Sequence, residues 1–259
     1  MTSCRVKSVG IAAPGLPGWA ATAAVLAGAA PYLPAPEPPY APALLPPNER
    51  RRATAAVRQA FRAAEDAIGT HSDPKALASV FASSDGDMMV LHRICEALAG
   101  DPRVISPTDF HNSVHNAASG YWSIAAQCMC PTTTVAAFDA SFTAGLIEAA
   151  ALVRDLSSDV LLVAYDAVAP PPLLAKRPLT IAASVAMVLG PAADLSPGSL
   201  FVEIGAGVET NCTGELERLR LGNPALRALP LLELIARQQP GEIGLRGTGE
   251  LRVGVRYFP

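Results

Sequence analysis

Short runs of strand-forming residues alternate along this chain with longer stretches of helical period, and that alternation limits the fold more than any other feature. Val6–Ala12, Leu77–Ser83, Thr132–Phe138 and Val160–Tyr165 read as strands, as do the runs PLTIAASVAMVLGP, SLFVEIGAGV and GELRVGVRYF. Trp19–Ala30, Glu49–Ile68 with Asn48 as its N-cap, GDMMVLHRICEAL, Ser141–Leu156 and NPALRALPLLELIARQ read as helices. HNSVHNAASGYWSIA reads as a short helix followed by a turn at Gly120. Strands interleaved with helices predict an α/β layered sheet. The chain has 259 residues and is 50% hydrophobic but only 5% aromatic, so Ala, Leu and Val must fill its core. The Pro-rich stretch PYLPAPEPPYAPALLPPNERRR should run extended over the surface.

Several function classes are disfavoured. The formal net charge is -3 and no basic run stands out, so nucleic acid is not an expected partner. The five cysteines are odd in number and scattered, which fits reduced thiols in a cytoplasmic protein. Cys128 and Cys130 form a C-x-C pair without a second pair, so no metal site is expected. Arg5 and Lys7 followed by an apolar stretch resemble a secretory leader, but Pro14–Gly18 interrupts it and the halves read as strand and helix. No apolar run reaches the roughly 20 residues that span a bilayer. His111 and His115 stand four apart, with no Glu after His111 to make a metalloprotease motif. GAGVETNCTG lacks the third glycine of a dinucleotide fingerprint, and no cofactor is expected.

The residues from Asn112 to Asp166, with the stretch SVHNAASGYWSIAAQCMCPTTTVAAFDASFTAGLIEAA, resemble the central block of the β-ketoacyl synthases of the thiolase-like superfamily. That block has an Asn, a Gly four residues on, a Ser/Thr–Ile pair, and a Pro fifteen residues after the Asn. Here these landmarks fall on Asn116, Gly120, Ser123–Ile124 and Pro131. The resemblance implies a truncated thiolase-like fold, the N-terminal half of a ketosynthase, with helices on both faces of its sheet. The whole chain would form one domain, with residues 1–190 matching that half and 191–259 a short divergent part in place of the second half.

The family's nucleophilic cysteine stands eight residues after the Pro, and here that position is Asp139. No histidine follows Asp166, whereas the family's catalytic histidines lie in the second half. A chain with this fold and neither group resembles a chain length factor, in a short form as in bacterial aryl-polyene clusters. The resemblance implies an inactive subunit paired with an active ketosynthase, reached by an acyl carrier protein through the complex. The strand Thr132, Thr133, Thr134, Val135, Ala136, Ala137 and Phe138 would pair with the partner's counterpart. Met88, Met89, Phe110 and Phe142 are candidates for the wall of the acyl tunnel. Three other readings stay open: Asp139 as a plain helix cap, a small acyltransferase or thioesterase using Asp139 or Cys128 with His115, and a structural scaffold of the synthase.

Overall fold

The computed structural model describes residues 2–69, 72–192, 196–205 and 208–259. Among the described residues, eight strands make one sheet: β1 (Thr2–Ala12), β2 (Ala78–Ala82), β3 (Thr132–Val135), β4 (Val160–Asp166), β5 (Ala183–Gly190), β6 (Ser199–Ile204), β7 (Gly241–Arg246) and β8 (Arg252–Phe258). Their order is β3-β2-β4-β5-β1-β6-β8-β7. The first three in that order are parallel, and every other pairing is antiparallel.

Ten α-helices accompany them among the described residues: α1 (Trp19–Leu26), α2 (Pro47–Arg52), α3 (Ala55–Ile68), α4 (Met88–Ala99), α5 (Pro107–Asn112), α6 (Ala117–Ala126), α7 (Ser141–Leu156), α8 (Pro171–Leu174), α9 (Gly214–Gly222) and α10 (Leu229–Arg237). Side chains alternate across a strand, and both faces of the central strands are apolar. Val160, Leu162 and Ala164 enter one core with Phe142, Leu146, Ala149 and Val153 of α7. Leu161, Val163 and Tyr165 enter the other with Val57, Ala60, Phe61 and Ala64 of α3. Burial on both faces is why β4 is apolar at nearly every position.

Several boundaries move from the sequence expectation. The helix expected over Glu49–Ile68 is two helices, because Thr54 takes the N-cap of α3 by accepting from the Val57 N–H at 3.3 Å. Asn48 therefore lies inside α2 and caps nothing. Helix α1 stops at Leu26 rather than Ala30. Gly28 turns to φ +76°, and Ala29 N–H returns to Ala24 O while Gly28 N–H returns to Val25 O, closing a Schellman end. Gly120 makes no turn, since α6 runs through it. Strand β3 ends at Val135, so Ala136, Ala137 and Phe138 lie beyond it. NPALRALPLLELIARQ is a 3-10 turn, Pro224–Ala228, followed by α10. Helix α9 and strand β7 had no counterpart in the sequence reading: GEIGLR carries two glycines and two charges in six residues and gives little strand signal.

Gly10 marks the tightest helix–sheet approach. A Cβ there would overlap Ala63 O and stand 2.5 Å from Ala67 N, both backbone atoms of α3. Backbone cannot swing aside as a side chain can. Gly10→Ala is expected to lower stability by about 1–3 kcal/mol or more through overpacking, read as a drop in denaturant midpoint.

Candidate functional site

Parallel strands gather functional groups at their carboxyl ends. Here the ends of β2, β3 and β4 deliver Ser83, Ser84 and Asp85, the turn to α7, and Asp166. Between β3 and α7 the chain coils into a 3-10 turn, Phe138–Ala140. Phe138 adopts φ +52°, a costly region for a bulky side chain, of order 1–3 kcal/mol. The turn is held by Ser141, whose Oγ accepts from Ala137 N–H at 3.0 Å and donates to Phe138 O at 2.7 Å.

That hydroxyl, not Asp139, secures the helix entrance, so the cap reading of Asp139 is corrected: Ala140 is the N-cap residue and no side chain caps there. The Asp139 carboxylate turns instead to Arg177, in the loop after α8. Arg177 Nη1 donates to Asp139 Oδ1 at 2.6 Å, and its Nε donates to Asp85 Oδ2 at 2.7 Å. The guanidinium carbon also stands 3.8 Å from the centre of the Phe138 ring. Arg227 approaches the other oxygen of Asp139 at 3.9 Å. Burial works against the charge on Arg177, but its bonds to Asp85 and Asp139 outweigh this and raise its pKa. Arg227 is pushed the other way, by burial first and then by the like charge of Arg220.

Joined to this clasp through Ser84 is a third carboxyl group. Asp166 is 1% exposed. Its Oδ1 accepts from Ser83 Oγ, Ser84 N–H and Ser84 Oγ at 2.8–2.9 Å, while its Oδ2 is buried without a partner among the described residues. Burial raises its pKa from 3.8 to about 7 despite those bonds. Ser84 Oγ also stands 2.6 Å from Asp85 Oδ2. One hydroxyl proton serves one carboxylate at a time, so a proton on Asp166 relieves the competition. The fully buried Asn223 ties the C-terminal segment to the end of β4, its amide donating to Asp166 O and Ile181 O.

The other sequence candidates do not gather at Asp139. Cys128 donates to Leu77 O at one end of α6, and His115 meets Ser83 O at the other. A helix of ten residues, about 15 Å long, separates them, so the Cys128–His115 pair is not formed. His111 and His115 share no helix face, because α5 ends at Asn112. Among the described residues no group of three or more His, Cys, Asp or Glu could hold a metal ion. His71 and Gly207 lie outside the described residues.

Of the wall candidates, Phe142 is wholly buried in the α7 core, and Met88 packs with Ala169 and Leu179 against the loop that carries Arg177. Met89 and Phe110 are exposed, Phe110 at 69%. Sequence reading missed Arg177, Asp85, Asp166 and Arg227. A carboxylate at a helix entrance is already favoured by the helix dipole, and nothing in LLAKRPLT marks Arg177 as its partner.

The model of the β-ketoacyl synthase N-terminal domain matches residues 19–212. The chain belongs to the β-ketoacyl synthase family. Its fold is shared with a chain of the ketosynthase ApeO in complex with its chain length factor ApeC from Xenorhabdus doucetiae, at 22% identity, 99% coverage of both chains and a TM-score of 0.75. The ishigamide ketosynthase/chain length factor matches at 12% identity over 99% of both chains, with a TM-score of 0.73. A type II polyketide synthase complex, AntDE:AntF, of an acyl-carrier protein with its ketosynthase matches at 11% over 99% of both chains, with a TM-score of 0.72. No curated protein sequence matches.

Two measurements probe this β-ketoacyl synthase site. Replacing Arg177 by Met strands two carboxylates, and about 2–4 kcal/mol of stability should be lost. Asp139→Asn, which keeps an acceptor at a partly exposed position, should lose less, and chemical denaturation gives the ranking. The folded state holds the Asp166 proton up to pH about 7, and the unfolded chain releases it near 3.8. The contribution of this group to stability therefore falls as pH rises between those values and is flat above them. Asp166→Asn should gain on the parent protein across that window, seen as diverging melting temperatures between pH 4 and pH 8.

Proposed function

We propose that this chain is a non-catalytic subunit, like a chain length factor, that pairs with an active ketosynthase and shapes its acyl tunnel during polyketide-type elongation. One observation carries the reading: the family's nucleophile position holds Asp139, and Arg177 neutralises it at 2.6 Å. A thiolate at a helix entrance attacks a thioester, whereas a carboxylate bound to a guanidinium is a poor nucleophile. Residues 191–259 then stand in for the second half of a full synthase, and the carrier protein reaches the partner's thiol rather than this chain.

The edge of the sheet supports a partner. Strand β3 is terminal, so one side of it presents unpaired N–H and C=O groups. Thr132 is exposed and Thr133–Val135 are half-buried. Met129, in the loop before β3, is 97% exposed, and Ile124 of α6 is also exposed. An antiparallel counterpart from the partner would continue the sheet through β3 and bring Ala136–Phe138 to its border. The growing chain, leaving the partner's cysteine, would meet side chains of this subunit, with Met89 and Phe110 the exposed candidates and Met88 and Phe142 the buried ones. Each methylene admitted gains about 0.8 kcal/mol, and a blocked one meets a steric wall. An aryl-polyene setting is what the resemblance of HNSVHNAASGYWSIA and NPALRALPLLEL implies.

Co-expression with a ketosynthase from the same gene neighbourhood, with only this chain tagged, tests the reading. A one-to-one complex by native mass spectrometry, and no acyl transfer by this chain alone, are expected. A lone monomer, or rapid iodoacetamide labelling of Cys128 with loss of an activity of its own, would sink it.

A further inference from the structure

An exposed aromatic side chain held in a strained backbone conformation needs a reason, and Phe138 is that residue. Its φ of +52° belongs to a region glycine enters freely and bulky residues avoid. Burial does not offset the strain, because the side chain is 58% exposed. The conformation is nevertheless enforced twice. Ser141 Oγ locks the carbonyl of Phe138 at 2.7 Å. Arg177 lies over one face of the ring, its guanidinium carbon 3.8 Å from the centroid, and Arg177 is itself pinned by Asp85 and Asp139. One face of the ring is thereby packed on Arg177, and the side chain otherwise stays exposed. It stands three residues beyond the end of the edge strand, one residue before the position that bears the nucleophile in active relatives.

We propose that Phe138, clamped by Arg177, is the rigid stop that meets the far end of the extended apolar acyl chain growing on the partner's thiol, and so fixes product length. This rests on the reading of the chain as a length-setting subunit. A stop defines a length only if it does not yield, and a side chain with free rotamers would admit a spread of lengths. The clamp supplies that stiffness, and the carboxylate at the lost nucleophile's position becomes part of it. Asp139 then has a positive role, because it holds the arginine that holds the ring. Phe138 differs in this from Phe142, which is sealed in the core, and from Phe110, which is exposed on α5.

The test uses the co-expressed complex with its carrier protein, reading released acids by mass spectrometry. Phe138→Ala and Phe138→Gly should shift the main product longer by at least one extension unit, with the one-to-one complex retained. Phe138→Gly should also melt no lower than the parent protein, because glycine accepts the backbone angle without strain. Phe138→Trp should shorten the product, and Arg177→Met should broaden the distribution without moving its mean as far as Phe138→Ala. An intact complex with an unchanged product distribution in Phe138→Ala overturns the proposal. So does loss of the complex in that variant, which would make the ring an anchor for the partner protein rather than a stop. Failure of the parent chain to pair at all is a different result, since it removes the subunit reading itself.

Discussion

Burial of the central sheet on both faces is the constraint from which the remaining features descend. Strands β2, β4 and β5 are buried at every position, so apart from the hydrogen-bonded Ser79 and Ser184 their interiors are apolar. Helices must cover both faces, with α7 on one and α3 on the other. Polar chemistry is thereby driven to the strand ends. The parallel trio β3, β2 and β4 places three such ends side by side, and there Ser83, Ser84, Asp85, Asp139 and Asp166 collect. The close approach at Gly10 belongs to the same constraint, because a helix packed onto a two-faced sheet leaves no room for one extra methyl group.

Charge compensation then decides what these strand ends can do. Three carboxyl groups lie close together, and they are accommodated in two ways. Asp85 and Asp139 share the guanidinium of Arg177. Asp166 is held by hydroxyl and amide donors rather than by a cation, and its raised proton affinity eases the burial instead. A nucleophilic site needs a reactive electron pair left free at the helix entrance, whereas here the entrance carboxylate is committed to an ion pair. The difference from a thiol-bearing entrance is one of charge more than of shape, since strand β3, the 3-10 turn and α7 still follow one another here.

The legible part of the sequence was the part governed by local rules. Helix α7 fell on Ser141–Leu156 as expected, since its apolar period runs unbroken into the core, and β4 was extended by only one residue. The resemblance that runs to Asp166 leads to the expectation that Asp139 stands at the nucleophile position. What could not be read depends on contacts distant in sequence. Arg177 lies 38 residues from Asp139 and 92 from Asp85, and no spacing rule links them. Competition between local signals accounts for other differences. Asn48 and Thr54 are both capping residues, and Thr54 won because Ala53 is extended and buried, which breaks the helix ahead of it. The shortening of β3 has a similar origin, since the turn that Ser141 ties at Phe138 cannot continue an extended strand.

A molecule with an open strand edge, exposed Met129 and a strained, exposed Phe138 carries several local costs at one border. An isolated chain could shed each of them easily: a shorter or charged edge, a polar residue for Met129, a glycine for Phe138. Their placement along the edge strand, Met129 before it and Phe138 beyond it, fits the proposed reading in which that border is covered. On this view the ion clasp and the strained turn are stable features of a half-built surface. On the proposed reading, the folded chain gives up part of its stability for a shape that a second subunit would put to use.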